Sequence, residues 1–525
     1  MTDSARPPNV LLFITDQFHP GCLGYAGHPV VRTPHIDRLA ASGMTFSRMY
    51  TPQPLCLPAR ASLFTGLSPR GHRVRMNGIP LDPTIPTVTG ALSNAGYHTH
   101  CCGKIHLSVS VGPNGVPLES LDPRDFPECG ALWRQGRIRD LPTPYYGIQT
   151  VDFVGGHGHG SFGDYTSWLD REHPRDAHLF HQRVAAEPPG PAFKLFNRQC
   201  YKWALPHELH PTRWIADRTI DYLRDPARRE QPFCLMCSFP DPHSPFAAPE
   251  PYCHRYGPGD VPPPAGRDGE YDDLPPHFAK MYETPLVTSG NKNEPMKDTT
   301  PFRAQCAAQY YGLIELIDDQ VGRVMESLEA SGLENDTLVL FLADHGEALG
   351  DHGMWGKGPY HFDSVIRVPF FARWPGRIEA GTTHEGVSSL LDIAPTILDI
   401  SGVRIPDGGP PGDPEAPDAA SPWPGRSLQP VLRGDDTNTD TVTVVEMDED
   451  YLGFKMRTLV TRRYRLTCYS GQPHGELFDL EEDPDELHNL WNDRERRSLR
   501  DGLRLRLLDE LMRTDPSTPR QLCRS

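Results

Sequence analysis

The stretch PLCLPARASLFTGL, residues 54–67, sets Cys56 and Arg60 one helical turn apart around Pro58. Proline suits the first turn of a helix, where its missing N–H costs nothing. Leu63 and Phe64 give such a helix an inner face, and Gly66 reads as its C-terminal stop. Cys56 then stands at or near the N-cap, where unpaired backbone N–H groups and the helix dipole favour negative charge. Arg60 falls on the same face. The stretch reads as an anion site with a sulfur atom at its centre.

Two further pairs of residues close long apolar runs. Asp16 and Gln17 follow NVLLFIT, and Asp344 and His345 follow TLVLFLA. Two carboxylates, an amide oxygen and an imidazole can hold a divalent cation and leave one position open for a ligand. Either pair alone reads sooner as a turn at a strand end than as a ligand pair; beside the cysteine stretch they read as one set. A basic set accompanies them: Arg60, Lys104 and His106 in GKIHL, His243 in PDPHSPF and Lys357 in MWGKGPY. A tetrahedral anion near a metal needs several such donors converging on its oxygens. Taken singly, each lysine reads as a solvated surface charge and each histidine as a satisfied polar residue. Their shared placement, after strand ends or in glycine-flanked turns, groups them. The glycine-rich GGHGHGSFGDY, residues 155–165, reads as a flexible turn on the rim of a pocket in preference to a metal site.

These residues need a scaffold that gathers strand ends. Short continuous apolar runs such as NVLLFIT are expected of strands buried on both faces of a parallel sheet. An open α/β sheet presents its functional loops where such strands end. Strand-then-loop units recur at YHTHCCGKIHL, PFCLMCSFPDPHSPF and DTLVLFLADHGEALGDHG. Helical patterns lie between them, among them HIDRLAASG and residues 307–332, which end at Gly332. The alternation predicts an α/β fold with a large, mostly parallel sheet sandwiched by helices. Residues 250–300, rich in proline and charge, read as a surface excursion, and residues 403–425 as a Pro/Gly/Asp linker. Beyond it, TVTVVEM, MRTLVTRRYRLTCY and GELFDL alternate like antiparallel strands, and RERRSLRDGLRLRLLDELMRT reads as an amphipathic helix. The expected division is a catalytic α/β domain, residues 1–435, and a smaller C-terminal α+β domain, residues 436–525.

The chain of 525 residues carries a net charge of −17, which argues against nucleic acid or an anionic membrane as its main partner. A small anion held by local cations remains compatible with that charge. Twelve cysteines follow no regular framework. They read as reduced, buried thiols of a cytoplasmic protein, and Cys234-Leu-Met-Cys237 has no second CxxC to complete a zinc or redox site. The N-terminal segment lacks a signal-peptide pattern, and no stretch reads as a transmembrane span.

Cys56-Leu57-Pro58-Ala59-Arg60 resembles the C-x-P-x-R signature of the formylglycine-dependent sulfatases of the alkaline phosphatase superfamily. RASLFTG, GYHTHCCGKIHL, DHGEALGDHG, RVPFFARWPG and, near the C-terminus, GELFDLEEDPDELHNL resemble the same family in the same order. The resemblance implies an alkaline phosphatase-like fold and hydrolysis of a small sulfate monoester to alcohol and inorganic sulfate. It implies that a formylglycine-generating enzyme oxidises Cys56 to an aldehyde, whose hydrate attacks sulfur. By the same resemblance Asp16, Gln17, Asp344 and His345 bind one divalent metal together with the residue derived from Cys56. Arg60 and Lys104 hold the diol and sulfate oxygens, and His106 is the base that restores the aldehyde. His243 and Lys357 bind sulfate and protonate the leaving oxygen, and Asn77 in RMNG contacts substrate. Calcium is the expected ion, with manganese and magnesium as alternatives.

Gln17 stands where a second Asp is frequent in the family, and His345 where Asn is frequent. Both features resemble the branch of choline sulfatases and phosphonate monoester hydrolases. Phosphonate monoester or phosphodiester hydrolysis is therefore the alternative activity. Lys104 and His106 favour sulfate, because the phosphonate hydrolases resemble a pattern with Tyr and Thr there. A non-catalytic binding protein on the same fold would require Cys56 to stay unmodified. No spacing names the alcohol, and the C-terminal tail is the expected contact surface of a homo-oligomer.

Overall fold

The computed structural model describes residues 7–184, 199–284, 286–287, 292–293, 300–404 and 424–515. Residues 405–423 of the expected linker lie outside the described residues. The main sheet has ten strands: β1 (Asn9–Thr15), β2 (Met44–Tyr50), β3 (His98–Gly103), β4 (Thr150–Gly155), β5 (Phe162–Gly163), β6 (Phe233–Ser238), β7 (Thr337–Ala343), β8 (Arg367–Val368), β9 (Phe370–Arg373) and β10 (Thr382–Ser389). Their order is β8-β2-β9-β7-β1-β6-β3-β4-β5, with β10 also beside β2. Every residue of β1, β6 and β7 is buried, which is why their apolar runs are continuous. The central run β7-β1-β6-β3-β4 is parallel throughout. At the margins β9 runs antiparallel to β7 and β2, β8 to β2, and β5 to β4. The sheet is therefore mixed, with a parallel centre. Strand direction follows from the connections, which an apolar run does not encode.

Six helices matter for the site and its frame: α1 (Pro34–Ala41), α2 (Cys56–Thr65), α3 (Pro211–Arg224), α4 (Thr300–Ala330), α5 (Ile393–Ser401) and α6 (Arg497–Arg513). α4 packs against both α1 and α3 on one face of the sheet, while α2 and α5 meet on the other. Gly66, in the left-handed region at φ 67°, closes α2 at the expected position. The sequence marks one inner face on α2, but all ten of its residues are buried. Residues 69–72, 88–94 and 390–392 and helix α5 all pack on it, and Leu55, just before the helix, packs among Met447, Met456 and Tyr469 of a separate sheet.

That sheet is an antiparallel meander, β11 (Thr443–Glu449), β12 (Phe454–Val460), β13 (Tyr464–Tyr469) and β14 (Gly475–Asp479). The stretch MRTLVTRRYRLTCY supplies two strands, folded back where the Thr461 N–H donates to the Tyr464 carbonyl at 2.9 Å. α6 lays Leu503 and Leu507 on Leu459, Leu466, Leu477 and Trp491. Its Leu505, Leu508 and Met512 stay 51–65% exposed, so the helix carries apolar residues on more than the covered face. Among the described residues no helix is long and apolar enough to cross a membrane.

Candidate active site

Register brings the strand ends to one level. Thr15 lies beside Ala343, and Ser238 lies beside both Ile14 and Gly103. The residues that follow, Asp16, Asp344, the turn after β6 and Lys104, therefore leave the sheet side by side. The Asp344 N–H donates to the Thr15 carbonyl and the Asp16 N–H to the Asp241 carbonyl, both at 3.1 Å, which continues the ladder one step into the site.

Asp16, Cys56, Asp344 and His345 each present a ligand atom, all four within 4.8 Å of one another and all buried. Cys56, the first residue of α2, points its Sγ to within 3.5 Å of Asp16 Oδ1 and 3.3 Å of His345 Nε2. His345 Nδ1 lies 2.9 Å from the Gly346 carbonyl, so Nδ1 carries the proton and Nε2 offers its lone pair to the group. Gln17 joins them through Oε1, which accepts from Lys357 Nζ at 2.9 Å. Carboxylate and amide oxygens with one imidazole suit calcium, magnesium or manganese, so the residues present fit a divalent cation.

Gln17 is oriented by Glu347, a buried residue that the sequence reading did not single out although it lies in DHGEALGDHG. Its carboxylate accepts from Gln17 Nε2 and from the N–H groups of Leu349 and Gly356, at 2.9 and 2.6 Å for the last two. Because the amide nitrogen is taken, the amide oxygen must face the site. Gln17 and His106 both hold left-handed backbone, φ 59° and 58°, which ordinary residues adopt at a cost and which clusters at functional sites.

The basic residues converge on the same point. Arg60, fully buried, donates Nε to Asp344 at 2.8 Å, Nη2 to Asp16 at 3.4 Å, and Nη1 to the Lys104 carbonyl and Ser238 Oγ at 2.9 and 3.0 Å. Lys104 Nζ bonds Asp16 Oδ2 and lies 2.7 Å from His157 Nε2. Lys357 Nζ stands 3.0 Å from Cys56 Sγ, from His243 Nε2 and from His345 Nε2. His243 Nδ1 is 2.6 Å from the Ser244 carbonyl, which leaves Nε2 facing Lys357. Three buried cations thus face two buried carboxylates, an excess that suits an anionic ligand.

The electrostatics follow from this packing. Burial would raise the Asp16 carboxyl, but Lys104, with His243, His157 and Arg60, holds it well below the usual carboxylate range. Burial and Asp16 push the Cys56 thiol up, yet Lys104, Lys357 and His345 together bring it well below its ordinary value. Arg60 is buried, which disfavours its charge, and Asp344 and Asp16 more than restore it.

Two candidates sit at one remove. The backbone N–H groups of His106, Leu107 and Ser108 all donate to the buried Glu128, at 2.8, 2.8 and 2.9 Å, and His106 Nδ1 is buried without a hydrogen-bond partner. No described hydrogen bond joins His106 to Cys56. Asn77 Oδ1 accepts the Leu57 N–H at 3.1 Å and so caps the start of α2. His157, from the loop read as a pocket rim, instead enters the centre. Its ring stacks on His243 with centroids 3.7 Å apart and planes 6° from parallel, and Asp16, His157 and His243 form a second group of close donors. His159 does not join; it pairs with Tyr201 and Arg183. The signal for His157 was its place two residues beyond the end of β4, the rule that grouped the other site residues.

The sulfatase family model matches residues 8–403, and the model for the N-sulphoglucosamine sulphohydrolase C-terminal region matches residues 350–513. The chain is similar to an arylsulfatase of Clostridium perfringens, 30% identical over 96% of this chain and 94% of that protein. It is also similar to a choline-sulfatase of Rhizobium meliloti, 27% identical over 92% of this chain and 82% of that one. Among solved structures, the phosphonate monoester hydrolase of Agrobacterium radiobacter superposes with a TM-score of 0.77 at 27% identity, covering 97% of this chain and 96% of that one.

Proposed function

The chain belongs to the sulfatase family and is a sulfuric ester hydrolase; on that premise we propose that it cleaves a small sulfate monoester with a formylglycine made from Cys56. The observation that carries this reading is the setting of Cys56 Sγ, between the ligand atoms of Asp16 and His345 and the ammonium of Lys357. An unmodified structural cysteine needs neither. Asp16, Gln17, Asp344 and His345 would hold the divalent ion, calcium in the first instance, which supplies Lewis-acid polarisation at this point.

The chain's own groups divide the remaining work. The formylglycine hydrate supplies the hydroxyl that attacks sulfur, and Arg60, locked to Asp16 and Asp344, keeps a fixed positive charge beside it. Lys104 holds a sulfate oxygen. Lys357 donates a proton to the leaving oxygen, and His243, 3.0 Å from its Nζ, supports that transfer. His106, with a free ring nitrogen, takes the proton of the remaining hydroxyl as the C–O bond to sulfate breaks, so that inorganic sulfate leaves and the aldehyde is restored. Asn77 contributes through the start of α2. Maturation calls for a formylglycine-generating enzyme, and the buried free cysteines favour the reducing cytoplasm as the working compartment.

Phosphonate monoester hydrolysis is the second reading, favoured by the solved hydrolase of that type and by the Gln17–His345 pair. An aryl sulfate and an aryl phosphonate compared on one preparation decide between them. The expected result is a higher kcat/KM for the sulfate; the reverse order moves the assignment to the phosphonate ester.

A further inference from the structure

A second set of metal-ligating atoms lies on the sheet face covered by α3, away from Cys56. His100 and Cys102, two residues apart on β3, point to the same face. Register places Cys102 beside Asp152 and His100 beside Thr150 on β4. His100 Nε2 stands 3.2 Å from both Cys102 Sγ and Asp152 Oδ2, and the sulfur is 3.9 Å from that oxygen. Ligands bound at the usual distances around a tetrahedral zinc ion stand roughly 3.3–3.6 Å from one another. The three atoms therefore outline one face of such a tetrahedron to within a few tenths of an ångström.

The surroundings prepare the histidine. Its Nδ1 lies 2.7 Å from Thr150 Oγ1, and donating there leaves Nε2 as the ligand nitrogen, the arrangement found behind ligating histidines. The Tyr222 ring of α3 stacks on it with centroids 4.7 Å apart and planes 10° from parallel, which fixes the ring's direction. His100 and Cys102 are buried, whereas the Asp152 side chain is 34% exposed and lines a cavity of about 700 Å³. An ion thus has a way in and solvent for its fourth position.

We propose that His100, Cys102 and Asp152 form a second metal site, of zinc type, that clamps β3 to β4. One nitrogen, one sulfur and one oxygen select a borderline ion such as zinc over the hard ion suited to the oxygen-rich catalytic set. Burial and Asp152 keep the empty site's thiol protonated, and the entering ion displaces that proton to solvent. The clamp ends two residues before Lys104, so it steadies the strand that delivers a sulfate-binding cation.

Cobalt(II) is the spectroscopic probe, used on the full chain carrying Cys56→Ala so that no thiol remains among the catalytic ligands. Cobalt should add a thiolate charge-transfer band and bind with one equivalent more than it does in the Cys56→Ala, Cys102→Ser double variant. Asp152→Asn, at a side chain partly open to solvent, should weaken that band's apparent affinity by roughly tenfold or more. Zinc should raise the Tm of the Cys56→Ala protein by more than that of the double variant, which keeps only the catalytic ligands. Equal cobalt stoichiometry with and without Cys102, or an affinity indifferent to Asp152→Asn, overturns the site.

Discussion

Cys56 is surrounded by charge of both signs, and its modification is the most direct thing to measure. The tryptic peptide Met49–Arg60, from protein made beside a formylglycine-generating enzyme, should be lighter than its cysteine form by the exchange of CH2SH for CHO. Active protein carrying only intact cysteine would sink the proposed chemistry. Cys56→Ala should abolish turnover while shifting stability by only roughly 1 kcal/mol, since a small buried group is lost. Glu347 acts through Gln17, because its carboxylate holds the amide nitrogen and turns the oxygen inward. Glu347→Ala should raise the metal concentration needed for half activity by roughly 10- to 100-fold, with excess calcium or manganese restoring kcat. Chelation of the wild type should silence it reversibly in the same titration. A chelator-resistant enzyme would show that the carboxylates at Asp16 and Asp344 serve only to pair with the cations.

At the scale of elements, two short segments carry the site and depend on buried polar anchors. The turn after β3 is held by Glu128, which accepts three successive N–H groups and the Tyr145 hydroxyl, the last at 2.8 Å. Glu128→Ala takes the acceptor from three buried N–H groups and from the Tyr145 hydroxyl and should destabilise the protein by on the order of 3 kcal/mol or more in denaturant melts. The second anchor is His72, whose ring faces Ser62 of α2 at 2.9 Å and accepts the Val74 N–H at 3.1 Å. Burial lowers its pKa from 6.5 to about 3. The neutral ring is the form that packs, so its contribution is whole above pH 6.5 and is lost as pH falls toward 3. At pH 5 the unfolded chain binds the extra proton and the loss reaches about 2 kcal/mol. Thermal melts across that range should fall more steeply for wild type than for His72→Gln; parallel curves would assign the acid lability elsewhere.

Across the whole molecule, the small meander is joined to the catalytic layer by a buried arginine. Arg465 on β13 bonds Glu486, donates to Glu476 at 2.9 Å, and lies 4.6 Å over the Phe478 ring. Glu486 in turn accepts the Asp363 N–H at 2.7 Å, and Asp363 holds the Tyr50 hydroxyl at 3.0 Å on β2 of the large sheet. Removing the arginine leaves two buried carboxylates without their cation. Arg465→Met should cost about 3–5 kcal/mol of stability. Because none of these groups reaches Cys56, kcat/KM of the folded fraction should stay at the wild-type value. A selective loss of kcat/KM in fully folded protein would mean that the meander shapes the substrate pocket.

Much of this was readable before any coordinates. NVLLFIT and TLVLFLA are the short continuous apolar runs expected of strands buried on both faces, since a solvent-facing strand alternates. Polar residues that end such strands have to gather at one edge, and Gly66 had to close α2 because only glycine takes its left-handed backbone freely. Residue types and their order along the chain therefore determined the strand-end set and the family to which the chain is similar. What needed the tertiary structure were the partners: Glu347 behind Gln17, Glu128 under His106, His157 stacked on His243, and Cys102 facing Asp152. The antiparallel margins of the sheet were decided there too. Each of these depends on register between segments far apart in the chain, such as Asp344 beside Gln17 across 327 positions. Local pattern carries no term for that distance, because a buried carboxylate is satisfied by whichever donor the packed sheet happens to bring within hydrogen-bond reach.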